Sequence, residues 1–243
     1  MNVLFFDLDG TLMFDHTIAP ACVDALQRVQ KAGHKLILNT GRSIGIIPPV
    51  VTETIRWDGM ICGGTYIVLN GELLHRQIMS REALLAIWDY CHKFGLRTHL
   101  EAEGGLLVID ESQPGTVTRK DIEENSDDLR VTKGTVFHVI PPEEFPHFPG
   151  MQIIGMPRYL EVLVEGWTKS TGMGIIGEKL GVGREDMIAF GDSSNDLDMI
   201  RYAGTGVIMA GAPAELEPYA AFRTVHPTEG VAEAIRKLFP ELF

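Results

Sequence analysis

Short apolar runs that each end at a polar turn recur along this chain, and they constrain its fold more than any other feature. The runs Asn2–Phe6, Lys35–Leu38 and Met187–Phe190 have the length and continuous apolar character of strands buried on both faces. A helical pattern from Pro20 to Ala32 separates the first two runs, and Gly33 stands where a C-terminal cap is expected. A strand, a helix and a second strand in this order predict a parallel βαβ unit.

The middle of the chain has a different character. Residues 80–165 combine short strand-like pieces with an acidic helical segment, Lys120–Leu129, and a proline-rich run, Pro141–Pro149. The alternation of strand and helix returns after this stretch. The fold class that we predict is therefore α/β, a doubly wound and mainly parallel sheet formed by residues 1–79 and 166–243, with an inserted α+β domain over residues 80–165.

Charge and cysteine content exclude several classes of function. The formal net charge of −12 argues against nucleic acid and against an anionic membrane surface as partners. The three cysteines have no CxxC spacing, which argues against a zinc site or a disulfide framework. No signal peptide or long apolar stretch is apparent, so we expect a cytoplasmic protein. We also expect a monomer or a homodimer.

Polar side chains follow three of the predicted strands, where sites form in open parallel sheets. They are Asp7 and Asp9 after the first strand, Thr40, Gly41 and Arg42 after the second, and Asp192, Asn195 and Asp196 after Met187–Phe190, with Lys169 just before a predicted helix. Each group also has a simpler interpretation: a turn for Asp-x-Asp-Gly, a helix N-cap for Thr40, a capped loop for residues 192–196 and solvent exposure for Lys169. Their joint placement at strand ends favours a common site.

The spacing of Asp7 and Asp9 indicates the chemistry of that site. Residues i and i+2 of an extended strand end point the same way, so two like charges meet there. One of the two carboxylates must then bind a cation or hold a proton. A site built from oxygen ligands, to which Asp192 could add another carboxylate, suits Mg²⁺.

Four motifs in this order resemble those of the haloacid dehalogenase superfamily. The run FFDLDGTL (5–12) looks like the first motif, Thr40-Gly41-Arg42 the second, Lys169 the third and GDSSND (191–196) the fourth. The insertion between the second and third motifs resembles the C2 cap of the Cof-like group, subclass IIB. Ser170 departs from the glycine more usual after the third-motif lysine.

The resemblance implies a magnesium-dependent phosphatase that acts on a small phosphorylated metabolite. Asp7 is then the nucleophile that forms an aspartyl-phosphate, Asp9 is the general acid and base, and Thr40 and Lys169 complete the catalytic set. The resemblance also implies Mg²⁺ binding by Asp7, by the backbone carbonyl of Asp9 and by Asp192. It implies phosphate binding by Thr40, Gly41, Arg42, Lys169 and Asn195. Asn195 and Asp196 would support the metal waters, the phosphate and Lys169.

Two other functions stay open at this point. Phosphomannomutases resemble the same core and cap, so a phosphomutase or phosphotransferase is the first alternative. A non-catalytic binding module is the second, although Asp7, Asp9, Lys169 and Asp192 are all present. The sequence does not select among a sugar phosphate, a phosphorylated cofactor and a broad set of substrates.

Overall fold

The computed structural model of the protein describes residues 1–110 and 112–243. Contacts divide these residues into two compact units. The core unit comprises Met1–Gly41, Ile47–Leu74 and Thr168–Phe243, and the inserted unit comprises Arg42–Ile46 and His75–Trp167.

The elements of the first part of the core unit come in the following order. They are β1 (Val3–Phe6), β2 (Met13–Phe14), β3 (Thr17–Ile18), α1 (Pro20–Lys31), β4 (Lys35–Thr40), α2 (Pro49–Thr54), β5 (Gly59–Cys62), β6 (Tyr66–Leu69) and β7 (Glu72–Arg76). The inserted unit follows with α3 (Arg81–Phe94), β8 (Thr98–Ala102), β9 (Gly105–Ile109), α4 (Arg119–Leu129), β10 (Val131–Val136), β11 (Met151–Gly155) and β12 (Leu160–Val164). The chain then completes the core unit with α5 (Lys169–Leu180), β13 (Met187–Gly191), α6 (Leu197–Tyr202), β14 (Thr205–Ile208), β15 (Phe222–Arg223) and α7 (Gly230–Leu238). Short 3₁₀ turns lie at Ile44–Ile46, Pro142–Glu144, Arg184–Asp186, Ser194–Asp196, Ala214–Tyr219 and Pro240–Leu242.

The core unit is built on an eight-stranded sheet of the described residues, in the order β15-β14-β13-β1-β4-β5-β6-β7. The strands from β15 to β5 run parallel, and β6 returns antiparallel to β5. In β1 all four residues are buried, as expected of a strand covered on both faces. This arrangement confirms the predicted α/β class with a mainly parallel sheet.

Helices cover the two faces of this sheet. Apolar residues of α1 and α7, such as Leu26 and Ile235, share one core cluster with Phe6 and Phe190 of the strands. The rings of Phe6 and Phe190 stack with centroids 4.5 Å apart. On α5, Gly172 faces Ile61 of β5, so that helix lies directly on the sheet.

Residue types that commonly cap helices and form tight turns do so in this structure. Ser80 accepts a hydrogen bond from the Ala83 amide at the start of α3, and Gly95 ends that helix in the left-handed conformation. Asn70 and Gly71 both have positive φ angles between β6 and β7, as a type I′ turn requires.

The inserted unit has its own sheet and apolar core. Its strands are antiparallel in the order β11-β12-β10-β8-β9. Leu84 and Ile87 of α3 and Ile122 of α4 pack with the apolar face of these strands. An antiparallel sheet with helices on one face matches the predicted α+β character of the insertion.

The limits of the inserted unit differ from the predicted 80 and 165. Met79 packs in its apolar cluster, and the ring of His75 stacks on Trp167 at 3.8 Å, so both ends lie a few residues further out. Residues 42–46 also belong to this unit, which no local signal in the sequence indicated.

None of the helices within residues 1–110 and 112–243 combines the length and the apolar character that a membrane-spanning helix needs. The three cysteines are buried free thiols.

Candidate active site

The candidate site is built on the carboxyl ends of three adjacent strands. Strand β1 lies between β13 and β4, and the Asp7 amide donates to the carbonyl oxygen of Phe190 at 2.9 Å. Asp7, Asp192 and Thr40 therefore end neighbouring strands of one parallel sheet. The fold brings polar groups together here that are up to 185 positions apart in the sequence.

Three carboxylates meet at this edge of the sheet. Asp7, Asp192 and Asp196 each offer one oxygen, and these oxygens lie within 4.8 Å of one another. Asp7 and Asp196 are buried, and Asp192 is half-buried. Carboxylates this close repel unless positive charge is present.

Lys169 supplies part of that charge. Its Nζ atom donates to Asp7 Oδ1 and to Asp196 Oδ1, both at 2.5 Å, and its side chain is 7 % exposed. The second oxygen of Asp196 accepts hydrogen bonds from the Asp192 amide at 2.9 Å and the Ser193 amide at 3.1 Å. Asp196 thus has both oxygens engaged and fixes the position of the ammonium group.

Burial acts against the charged forms of Asp7, Asp192 and Lys169. Burial raises the pKa of Asp7 to about 7, although Lys169 acts in the opposite direction. Burial, with the charge of Asp196, also raises the pKa of Asp192. For Lys169 burial disfavours the charged form, but the two carboxylates outweigh it and hold the pKa of the ammonium above its usual range.

Glycine is required at two positions that border the carboxylates. Gly10 has a φ of +84°, and a Cβ atom there would lie 2.4 Å from Asp192 Oδ2. A Cβ atom at Gly191 would lie 2.6 Å from Cβ of Asp196. The glycines of the first and fourth motifs therefore make room for the acidic side chains.

Other predicted site residues differ in their exposure. The side chain of Asp9 is exposed and is not one of the three clustered carboxylates, so its predicted metal contact through the backbone carbonyl stays a prediction. Thr40 is buried at the end of β4, and Gly41 follows half-buried. Asn195 is exposed and accepts a hydrogen bond from Ser193 Oγ at 2.8 Å. Arg42 belongs to the inserted unit and donates to the carbonyl oxygen of Ile46, so its phosphate contact also stays a prediction.

Three supporting residues were not predicted from the sequence. Thr11 Oγ1 donates to Asp192 Oδ1 at 3.1 Å. Asn39 Nδ2 donates to the carbonyl oxygen of Lys169 at 3.2 Å, and the Ser170 amide donates to Asp198 at 2.9 Å. A polar residue at the end of an apolar run, as at Asn39, is the kind of signal that could have found one of them; the partners of Thr11 and Asp198 depend on the fold.

The donor set fits a divalent cation. Mg²⁺ binds hard oxygen ligands, commonly one or two carboxylates, and keeps positions for water and substrate oxygens. Asp7 and Asp192 are the side chains that would hold it, because Asp196 is occupied by Lys169 and two amides. A cation at this point would favour the ionised forms of Asp7 and Asp192, against the burial that raises their pKa values.

The fold, the motif positions and the carboxylate–lysine cluster together define a known class of enzyme. The family profile described as haloacid dehalogenase-like hydrolase matches residues 4–235. The chain belongs to this family of hydrolases.

Proteins named as phosphatases resemble the chain over most of its length. It is 29% identical to the HMP-PP phosphatase of Klebsiella pneumoniae, over 87% of this chain and 85% of that protein. It is 27% identical to the 5-amino-6-(5-phospho-D-ribitylamino)uracil phosphatase YcsE of Bacillus subtilis, over 97% of this chain and 95% of that protein. Among solved structures, the subclass IIB sugar phosphatase BT4131 superposes with a TM-score of 0.81 at 26% identity and covers 100% of both chains.

Proposed function

We propose that the protein is a magnesium-dependent phosphatase that hydrolyses a small phosphorylated metabolite through an aspartyl-phosphate on Asp7. The family and its phosphatase members establish the class, a phosphoric monoester hydrolase. The metal, the intermediate and the substrate are our proposal. The observation that carries it is the buried Lys169 ammonium held between Asp7 and Asp196, beside Asp192, at the ends of adjacent strands.

Asp7 has the environment that a nucleophilic carboxylate needs. A phosphate monoester is a dianion and repels an unshielded carboxylate, so positive charge must lie at the point of attack. Lys169 contributes one such charge directly on Asp7 Oδ1. A divalent cation held by Asp7 and Asp192 would supply further charge neutralisation for the phosphoryl oxygens.

The first chemical step is transfer of the phosphoryl group to Asp7. A carboxylate oxygen of Asp7 attacks phosphorus, and the bond from phosphorus to the leaving oxygen breaks. Asp9 in its acid form gives its proton to that oxygen. The exposed side chain of Asp9 is accessible both to a leaving group and to water.

The second step regenerates the enzyme. The Asp9 carboxylate takes a proton from water, the water oxygen attacks phosphorus, and the bond between phosphorus and Asp7 breaks. Inorganic phosphate leaves, Asp7 is again a carboxylate, and Asp9 is again protonated. Thr40 and the Gly41 amide, at the end of β4, and Lys169, whose ammonium contacts Asp7, orient the phosphoryl oxygens in both steps.

The substrate class that we propose is a sugar phosphate or a phosphorylated cofactor. The relatives support it, since their names specify HMP-PP, a phosphoribityl-aminouracil and a sugar phosphate. The three differ in leaving group and share a phosphoryl group, which is the part of the substrate that the proposed site binds.

Release of inorganic phosphate from a panel of sugar phosphates, phosphorylated cofactors and p-nitrophenyl phosphate tests this function. We expect turnover that requires Mg²⁺ and is lost with a chelator. Asp7→Asn should reduce kcat by at least about a thousandfold. Asp24→Asn, which removes an exposed carboxylate paired with Arg28, is the matched control and should keep wild-type kcat.

Three results would change the assignment. Wild-type kcat in Asp7→Asn would exclude Asp7 as nucleophile. Absence of turnover across the panel, by folded protein with Mg²⁺ bound, would indicate a binding module. Transfer of label from a sugar bisphosphate to a sugar, without release of phosphate, would indicate a phosphotransferase.

A further inference from the structure

The chain passes between the two units more often than a simple insertion requires. Within the described residues it crosses after Gly41, before Ile47, after Leu74 and before Thr168. A single insertion needs only the last two of these crossings. The first crossing directly follows Thr40 and Gly41, to which the proposed function assigns the phosphoryl oxygens.

Ser43 attaches the extra segment to the sheet of the inserted unit. Its amide donates to Glu101 Oε2 on β8 at 3.1 Å, and its hydroxyl lies 2.7 Å from Thr132 Oγ1 on β10. Ser43 and Thr132 are each 1% exposed, and Glu101 is 7% exposed. These bonds are shielded from water, so their loss leaves buried polar atoms without partners.

The backbone of the segment is also packed closely against this unit. A Cβ atom at Gly45 would lie 2.3 Å from the Ala102 carbonyl oxygen and 2.4 Å from the Gly105 amide nitrogen. Gly45 therefore lies backbone to backbone against the end of β8 and the start of β9. Backbone atoms cannot move aside as a side chain can, so the segment has a defined position.

Glu101, the acceptor for Ser43, is itself fixed by charge. Lys133 Nζ on β10 lies 3.8 Å from Glu101 Oε1 and 2.9 Å from Glu161 Oε1 on β12. The hydroxyl of Thr132 also donates to the backbone carbonyl of Glu101 at 3.2 Å. The attachment point is thus part of a buried polar network that spans three strands.

We propose that Ser43 is a positioning residue for the phosphoryl site, through which the inserted unit and the residues Thr40 and Gly41 are coupled. Only Arg42 lies between Ser43 and Gly41 in the sequence, so the anchored segment restricts the backbone freedom of Gly41 and Thr40. The coupling rests on the proposed function, because that function assigns phosphate to Thr40 and Gly41. Coupling of this kind is reciprocal, so phosphate should in turn affect the order of residues 42–46.

Thr132→Val tests the coupling, since it removes the hydroxyl that pairs with Ser43 and keeps the shape of the side chain. Ser43→Ala removes the same bond from its other end, and Thr132→Ser keeps the hydroxyl. Thr98→Val is the matched control: Thr98 is a buried threonine of the same sheet whose hydroxyl bonds to Cys91 Sγ at 2.9 Å instead. A purely structural role predicts similar losses of stability and unchanged phosphate affinity for both valine variants.

Inhibition by inorganic phosphate, with p-nitrophenyl phosphate as substrate and Mg²⁺ present, gives the readout. We expect Thr132→Val and Ser43→Ala to raise both Ki for phosphate and KM by about five- to tenfold, with kcat within about twofold. Thr132→Ser and Thr98→Val should remain within about twofold of wild type in Ki and KM. Amide hydrogen exchange over residues 42–46 should be faster than in the wild type for Thr132→Val and unchanged for Thr98→Val.

The outcomes separate the coupling from the proposed function. Equal Ki values in Thr132→Val, Thr98→Val and an active wild type would overturn the coupling and leave the phosphatase assignment intact. If the wild type binds phosphate but has no turnover, calorimetric Kd values for phosphate replace Ki, and the same comparison decides the coupling. A wild type with neither turnover nor phosphate binding would overturn both.

Discussion

Thr11 shows how one hydroxyl can connect two ends of a chain at a site. It is fully buried in the turn after β1, and its Oγ1 donates to Asp192 Oδ1 at the end of β13. This hydrogen bond favours the ionised form of Asp192 and orients it. Mutation of a residue that orients a metal ligand typically costs about 10- to 100-fold in metal affinity or activity.

Thr11→Val should weaken Mg²⁺ binding about 10- to 100-fold, because Asp192 then loses its orienting donor. Isothermal titration of Mg²⁺ into the purified protein measures this change. Thr11→Ser keeps the hydroxyl and should bind Mg²⁺ like the wild type. A Thr11→Val protein with wild-type Mg²⁺ affinity would show that Asp192 needs no such support.

Asp58 is a second residue whose charge is placed by the fold, away from the site. Its carboxylate accepts hydrogen bonds from Gln30, Lys35 and the Leu36 amide, at 2.9 to 3.0 Å. Burial opposes the ionised form, but these donors outweigh it and lower the pKa of Asp58. The carboxylate therefore stabilises the fold at pH values above its unfolded pKa, and this stabilisation is lost as the pH falls through the lower folded pKa.

Asp58→Asn should lower the free energy of unfolding by about 1 to 3 kcal/mol at pH 7. The difference from wild type should shrink as the pH falls below about 4, where the carboxyl of the unfolded chain takes up a proton first and that of the folded protein follows at lower pH. Urea unfolding at pH 7 and at pH 3 measures both values. A difference that is equal at the two pH values would mean that the charge of Asp58 does not stabilise the fold.

Helix α5 illustrates a conflict between local preference and packing. It carries Gly172, Gly174 and Gly177, each of which costs about 1 kcal/mol relative to alanine in a helix. The structure supplies a reason at two of them: a Cβ atom would lie 2.7 Å from Ile61 at Gly172 and 2.2 Å from Met187 at Gly177. The glycines let α5, which begins with Lys169, lie close to the sheet.

Gly172→Ala should destabilise the protein by about 1 to 3 kcal/mol, because overpacking against Ile61 exceeds the gain in helix propensity. Gly174→Ala is the control within the same helix. Its Cβ atom would meet only the Tyr202 side chain, at 3.1 Å from the hydroxyl oxygen, so its destabilisation should be much smaller. Urea unfolding midpoints compare the two; equal changes would contradict the packing explanation.

The elements that the sequence predicted are those with strong local signals. The helix near Pro20 depends on residues that are close in sequence, so its pattern sufficed to predict it. The two-residue strands β2 and β3 and the short helix α2 were not predicted, since segments of two to six residues are too short to show a period.

At the scale of the whole molecule, the polar strand ends could be predicted because parallel strands share one carboxyl edge. The sequence indicated Asp7, Asp192, Asp196 and Lys169 as members of one site, and the structure brings these four together. The sequence did not indicate that residues 42–46 belong to the inserted unit. That grouping depends on hydrogen bonds between positions 58 and 89 residues apart, which no local pattern encodes.

The central claim, that Asp7 carries the phosphoryl group and Asp9 promotes its hydrolysis, is tested most directly by pre-steady-state kinetics of Asp9→Asn with p-nitrophenyl phosphate. The p-nitrophenolate leaving group needs no proton, so Asp7 can still be phosphorylated, whereas hydrolysis lacks its base. We predict that Asp9→Asn releases a burst of about one equivalent of p-nitrophenolate per protein, followed by slow turnover. The double variant Asp7→Asn/Asp9→Asn should show no burst. A linear time course without a burst in Asp9→Asn, or a burst that persists without the Asp7 carboxylate, would contradict the account.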